Sequence, residues 1–75
     1  MKIKFSRHAK RRAKLYKIPL TFIENILKNE TLNPRENIII KKLNGEKYPI
    51  KIVAVVENGE IIVVTNYPLK KKRGT

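Results

Sequence analysis

The chemistry open to this chain is bounded first by what it lacks. Its 75 residues contain no cysteine, no aspartate and one histidine, His8. Thiolate catalysis, disulfide stapling and a structural zinc site all need groups that are missing. The only carboxylates are Glu24, Glu30, Glu36, Glu46, Glu57 and Glu60. There is no glycine-rich phosphate loop and no internal repeat, so no cofactor is implied. Four residues after His8 stands Arg12. On a helix that spacing leaves the two side chains about 40° apart, close enough to contact one phosphate. Histidine is the side-chain type that titrates nearest neutrality, and a guanidinium can hold a phosphate with two donors. Each residue also has a structural reading: His8 as a first-turn cap or a neighbour packed on Phe5, Arg12 as a stem covering the core with its head on a strand carbonyl.

Cation is what the chain has in excess. Eighteen Lys and Arg stand against six acidic residues, giving a formal charge of +12. Such a charge repels itself, and its usual compensation is a polyanion. RNA, DNA, an anionic membrane and an acidic protein all fit. The membrane fits least, because no apolar run approaches the roughly 20 residues of a span. The N-terminal stretch Met1-Lys2-Ile3-Lys4-Phe5-Ser6 lacks the apolar core of a signal peptide, which makes the cytoplasm the expected address. Lys10, Arg11 and Lys14, with Lys51 and the run Lys70, Lys71, Lys72 and Arg73, are the candidate phosphate contacts. The run at the end reads equally well as a solvated tail.

Elements must position these groups, and 75 residues leave room for one of modest core: a domain over 1–69 and a basic tail over 70–75. Lys2 to Phe5 alternates with the period of a half-buried strand. Ser6 is an N-cap candidate for a helix over 7–16, on which Ala9, Ala13 and Tyr16 form the apolar stripe. Ile18-Pro19 breaks the pattern, and a second helix over 20–28 buries Phe22, Ile23, Ile26 and Leu27. Residues 29–37 read as a loop. Beyond it the period becomes two, and Asn44-Gly45 and Asn58-Gly59 each predict a two-residue hairpin turn. The strands are placed at 38–43, 47–57 and 60–67, with Pro49 an irregularity in the middle one.

Two-residue turns set opposite residues to sum to 89 in the first hairpin and 117 in the second. Ile52 then faces Thr65, and Ile50 faces Tyr67. One sheet face carries Ile39, Tyr48, Ile50, Ile52, Ala54, Val56, Ile61, Val63, Thr65 and Tyr67, and is expected under the helices. The other carries Ile38, Ile40, Lys42, Lys51, Val53, Val55, Ile62, Val64 and Asn66. Apolar at its centre and rimmed by lysines, it suits a homodimer, a partner protein or nucleic acid better than water. The fold class expected is α+β, in the order β-α-α-β-β-β: a helical hairpin on one face of a small, mostly antiparallel four-stranded sheet. Short connections would run the last strand antiparallel to the first, whereas the 29–37 loop is long enough to make them parallel.

Three stretches carry a resemblance: Phe5-Ser6-Arg7-His8-Ala9-Lys10-Arg11-Arg12, Lys17-Ile18-Pro19 and Ile61-Ile62-Val63-Val64-Thr65-Asn66-Tyr67. With the element order, they resemble the RelE/ParE-like toxin superfamily, in particular a branch with a His-Ala-x-x-Arg first helix and a Thr-x-Tyr ending to its last strand. The resemblance implies a toxin-like, metal-independent RNA endonuclease with an acidic antitoxin protein as partner. It puts His8, Arg12, Thr65 and Tyr67 at the family's polar positions. Cleavage without metal needs a base for the 2′-hydroxyl, donors for the phosphorane and an acid for the leaving oxygen, roles these four types can fill. Thr65 and Tyr67 are otherwise an ordinary strand residue and a rim aromatic. The rival reading is a non-catalytic nucleic-acid-binding domain on the same scaffold. A nuclease requires the four to cluster, whereas a binding module requires only surface charge.

Overall fold

A computed structural model of the chain describes residues 2–42 and 48–69. The element order is β1 (Lys2–Phe5), α1 (Arg7–Leu15), α2 (Leu20–Lys28), β2 (Glu36–Lys41), β3 (Ile50–Glu57) and β4 (Glu60–Pro68). The four strands form one mixed sheet in the order β1-β4-β3-β2, with both helices on one face: the α+β class and the helical hairpin on the sheet. β1 runs parallel to β4, pairing Ile3 with Ile61 and Phe5 with Val63, and the other neighbours are antiparallel.

The hairpin between β3 and β4 forms at Asn58-Gly59, whose φ angles of 52° and 72° are the two left-handed values of a type I′ turn. From Glu57↔Glu60 to Ala54↔Val63, opposite residues keep the register that this turn dictates. Past that point β4 carries one extra residue, Val64, and the pairing resumes at Val53↔Thr65, Ile52↔Asn66, Lys51↔Tyr67 and Ile50↔Pro68. This bulge inverts the remainder of β4, because a one-residue slip sends every later side chain to the other face. Ile52 therefore faces Asn66 rather than Thr65, and Ile50 faces Pro68 rather than Tyr67. Thr65 and Tyr67 leave the face predicted for them, and Asn66 turns inward to full burial, 0% exposed.

β2 and β3 differ from expectation in a milder way. Ile39 pairs with Ile52, two residues from the predicted register, and a shift of two leaves both faces unchanged. Pro49, which has no N–H to give the ladder, lies just before β3, which begins at Ile50 and not at residue 47. The Asn44-Gly45 turn lies outside the described residues. Asn37, buried on β2, holds the preceding loop: its Oδ1 accepts from the Asn33 N–H (2.7 Å) and its Nδ2 donates to the Asn33 and Arg35 carbonyls (both 3.0 Å).

Ser6 joins the first helix to the sheet. Its Oγ accepts from the Ala9 N–H (3.0 Å), capping α1, and donates to the Val64 carbonyl (2.8 Å), while its own N–H donates to the Val63 carbonyl (2.9 Å). One residue thus caps the helix and pins the bulge. α1 then lies along β4 on its small residues, Ala9 and Ala13, which let the helix backbone approach closely enough for the Asn66 Nδ2 to donate to the Ala9 carbonyl (3.2 Å). At its other end the Ile18 N–H reaches the Ala13 carbonyl (2.8 Å) and the Lys17 N–H the Lys14 carbonyl (3.2 Å), a Schellman motif that forces Lys17 to φ 57°. α2 adds Ile23, Ile26 and Leu27 to a core that also holds Ile39, Ile52, Ala54, Ile61 and Val63. Phe22 is not part of it: lying about 100° round the helix from Ile23, it is 46% exposed.

Two stability changes follow. Ser6→Ala removes the cap and the bond to the bulge together and is expected to cost about 1–2 kcal/mol in urea denaturation, at the upper end for a lost N-cap. Lys17→Gly relieves a left-handed residue other than glycine and is expected to add about 0.5–1 kcal/mol in the same assay.

Candidate nucleic-acid interface

α1 has two unlike sides. Its Arg7–Leu15 sequence, RHAKRRAKL, holds five cations and no carboxylate. At about 100° per residue Lys10, Lys14, Arg7 and Arg11 fall within an arc of about 100°, opposite the buried Ala9 and Ala13. All four are exposed. Two ion pairs occur among the described residues, Lys4 with Glu60 (3.3 Å) and Lys41 with Glu30 (3.0 Å), and neither involves α1. The helix therefore presents four neighbouring cations with no carboxylate paired to them among the described residues. Arg7 belongs to this patch although its position one residue after the cap hides it among the flanking basic residues in sequence; the exposed i, i+3 and i, i+4 neighbours Lys10 and Arg11 are the signal that finds it.

The other predicted site residues scatter. His8 is exposed in the first turn of α1. Arg12, half-buried, donates from Nη1 to the Tyr16 hydroxyl at 3.4 Å, a long bond within its own helix. Thr65 and Tyr67 project from the sheet face that α1 does not cover, where Tyr67 lies beneath the Lys51 ammonium, 5.9 Å from the ring centroid. The parallel pairing of β1 and β4 does carry α1 to the end of β4 that holds Thr65 and Tyr67. The bulge then points their side chains to the sheet face away from α1. Lys51 is parted from Lys10, Arg11 and Lys14 in the same way. Lys70, Lys71, Lys72 and Arg73 lie outside the described residues.

Alternative sites are few. No group of three or more His, Cys, Asp or Glu that could hold a metal occurs among the described residues. A hollow of about 280 Å³ between the C-terminal end of α2 and the sheet is walled by Ile3, Leu27, Leu32, Val56 and Ile61, with Lys28 and Glu30 its only charged lining. It is too small and too apolar to seat a nucleotide chain. No helix among the described residues is long and apolar enough to cross a membrane. No protein-family model matches the sequence, and neither the curated proteins nor the solved structures yield a match.

The cation patch has a measurable cost. Like charges three and four apart on a helix destabilise it by about 0.2–0.5 kcal/mol each, and Arg7 stands at the end where the helix dipole disfavours a cation. Screening by sodium chloride should therefore raise the thermal midpoint, by roughly 4–10 °C between low and about 0.5 M salt if four such repulsions contribute about 1–2 kcal/mol in all. Calorimetry decides it. A midpoint that stays flat or falls would mean that the cations of α1 are already compensated.

Proposed function

We propose that this chain is a nucleic-acid-binding domain that grips the backbone of RNA through the outer face of α1, without cleaving it. One observation carries the reading: Arg7, Lys10, Arg11 and Lys14 stand side by side, exposed and without a carboxylate partner among the described residues. Phosphates are the ligand such a surface is built to neutralise, and ammonium and guanidinium groups on a rigid helix supply affinity without reading bases. The choice of RNA, and a kinship with RelE/ParE-like proteins, come from the His-Ala-x-x-Arg and Thr-x-Tyr stretches. Binding is preferred to cleavage because a nuclease asks for one constellation of His8, Arg12, Thr65 and Tyr67, whereas by the strand register Thr65 and Tyr67 project from the sheet face that α1 does not cover.

Fluorescence polarisation with a labelled single-stranded RNA over a salt series tests the proposal. Log affinity should fall linearly with log salt, and serine at Arg7, Lys10, Arg11 and Lys14 together should flatten the slope by roughly three, at about 0.7–0.9 per phosphate released. Serine at Lys70, Lys71, Lys72 and Arg73 measures the share of the tail separately. The RNA should emerge intact from EDTA-treated protein. A slope untouched by the helix substitutions, or no binding even at low salt, defeats the proposal. Cleavage that His8→Ala abolishes would restore the nuclease.

A further inference from the structure

The face of the sheet turned away from the helices is covered by none of the described elements. Across its centre lie Val53 and Val55 on β3, Ile62 and Thr65 on β4, and Ile38 and Ile40 on β2, the last two 58% and 55% exposed. An apolar sheet face of this extent marks an interaction surface. What identifies its occupant is charge. The chain as a whole is +12, yet by the strand registers this face carries Lys2, Lys4 and Lys51 against Glu36, Glu57 and Glu60, three cations and three carboxylates, with Lys42 just past the end of β2 adding one cation at the margin. Half of all the glutamates in the chain are gathered here. A nucleic acid or an acidic protein would meet those carboxylates, and neither would gain much from a nearly neutral surface.

The charges are also ordered along the strands. Glu57 and Glu60 share the row beside the β3–β4 turn with Lys2, and Glu36 shares the next with Lys4, so that end carries one net negative charge, whereas Lys51 stands three rows away, beyond the apolar centre, beside Tyr67. Lys4 already pairs with Glu60, but Glu36, Glu57 and Lys51 have no ion pair among the described residues. A face whose turn end is negative by one charge, whose middle is apolar and whose far end holds Lys51 is complementary to itself through Lys51 and Glu57 when one copy is reversed. We infer that two copies of the chain pack open face to open face, their strands antiparallel, about a two-fold axis that lies between the sheets and crosses β3 at right angles near Ala54. Val53 then meets Val55 of the second copy, Ile62 meets its Thr65, and Lys51 meets its Glu57, each contact occurring twice as an isologous interface requires. Aligned packing of two twisted sheets is a standard geometry. Four strands about 4.8 Å apart and roughly 20–25 Å long offer on the order of 400–500 Å² per copy. That is near the lower limit for a specific interface, so the dimer is weak, roughly micromolar. It leaves both α1 faces turned outward, and it stands whether or not those faces bind RNA.

Sedimentation equilibrium of the full, nuclease-treated chain over a concentration series at about 0.15 M salt is the test. The wild type should pass from monomer to dimer. Lys51→Glu sets two carboxylates against each other twice and should weaken association about tenfold or more, and Val53→Lys should abolish it. The exchange Lys51→Glu/Glu57→Lys restores the pair in reverse and should recover the wild-type constant to within about threefold. Circular dichroism confirms that each variant is folded, and the half-buried Lys51 at the margin of the face carries the test if Val53→Lys is not. A monomer at every concentration up to roughly 1 mM overturns the inference. So does a dimer indifferent to both single substitutions, a double exchange that fails to restore it, or an association that needs RNA.

Discussion

The hydrogen bonds of Ser6 are the constraint on which the rest of the architecture turns. At this residue β1 ends and α1 begins, and its N–H and hydroxyl hold the Val63 and Val64 carbonyls of the strand next door. Those two carbonyls straddle the start of the bulge, so the helix cap and the strand irregularity are one structure. Without the bulge, Thr65 and Tyr67 would be driven under α1 and the Asn66 amide would face out. With it, Asn66 comes within reach of the Ala9 carbonyl one turn into the helix. Ser6 and Asn66 thereby fix α1 at two levels along β4, and Ala9 and Ala13 permit the approach because neither has a side chain large enough to prevent it. The arrangement carries a cost, since the Asn66 Oδ1 is buried with no donor among the described residues.

Much of this was legible in the sequence. Period-two and period-3.6 patterns placed β1, α1 and α2, and Asn58-Gly59 specified its own turn, because only left-handed residues at both central positions match the twist of the strands. The parallel relation of β1 and β4 was open to argument from the length of the 29–37 loop. What escaped was the bulge. Bulges that use a glycine announce themselves, but Val63-Val64-Thr65 reads as uninterrupted strand, and the residue that stabilises the irregularity, Ser6, is 58 positions away in the chain. An alternation rule has no term for a hydrogen bond from another element, so it carried the faces of β4 correctly as far as the exposed Val64 and wrongly from Thr65 onward. The two-residue displacement of β2 went undetected for a different reason: it moves no side chain from one face to the other, and hydrophobic pattern alone cannot see it.

The candidate site shows the same division. That α1 is basic was evident, but which of its cations act together depends on which side is buried, and the two alanines settle that by leaving Arg7, Lys10, Arg11 and Lys14 on the far side. Lys51 looked equivalent to them as a charge in a list. The sheet makes it the opposite, because Lys51 stands on a face that also carries Glu36, Glu57 and Glu60 and sits over Tyr67.

Charge in this chain is therefore sorted by layer, and the sorting has a physical logic. A small domain cannot bury enough surface to tolerate strong self-repulsion everywhere, so its excess cations are least harmful where water and counter-ions screen them, on the outer side of a helix. An apolar sheet face has the contrary need: any net charge there would oppose the contact that covers it. Matching carboxylates to lysines on that face removes most of the repulsion, and holding Lys51 and Glu57 at opposite ends makes one relative orientation better than the rest. The extra residue in β4 serves both layers. It turns Asn66 toward the helix, where a polar group finds a partner, and turns Thr65 and Tyr67 toward the sheet face, where they extend the apolar surface between Val53 and Lys51.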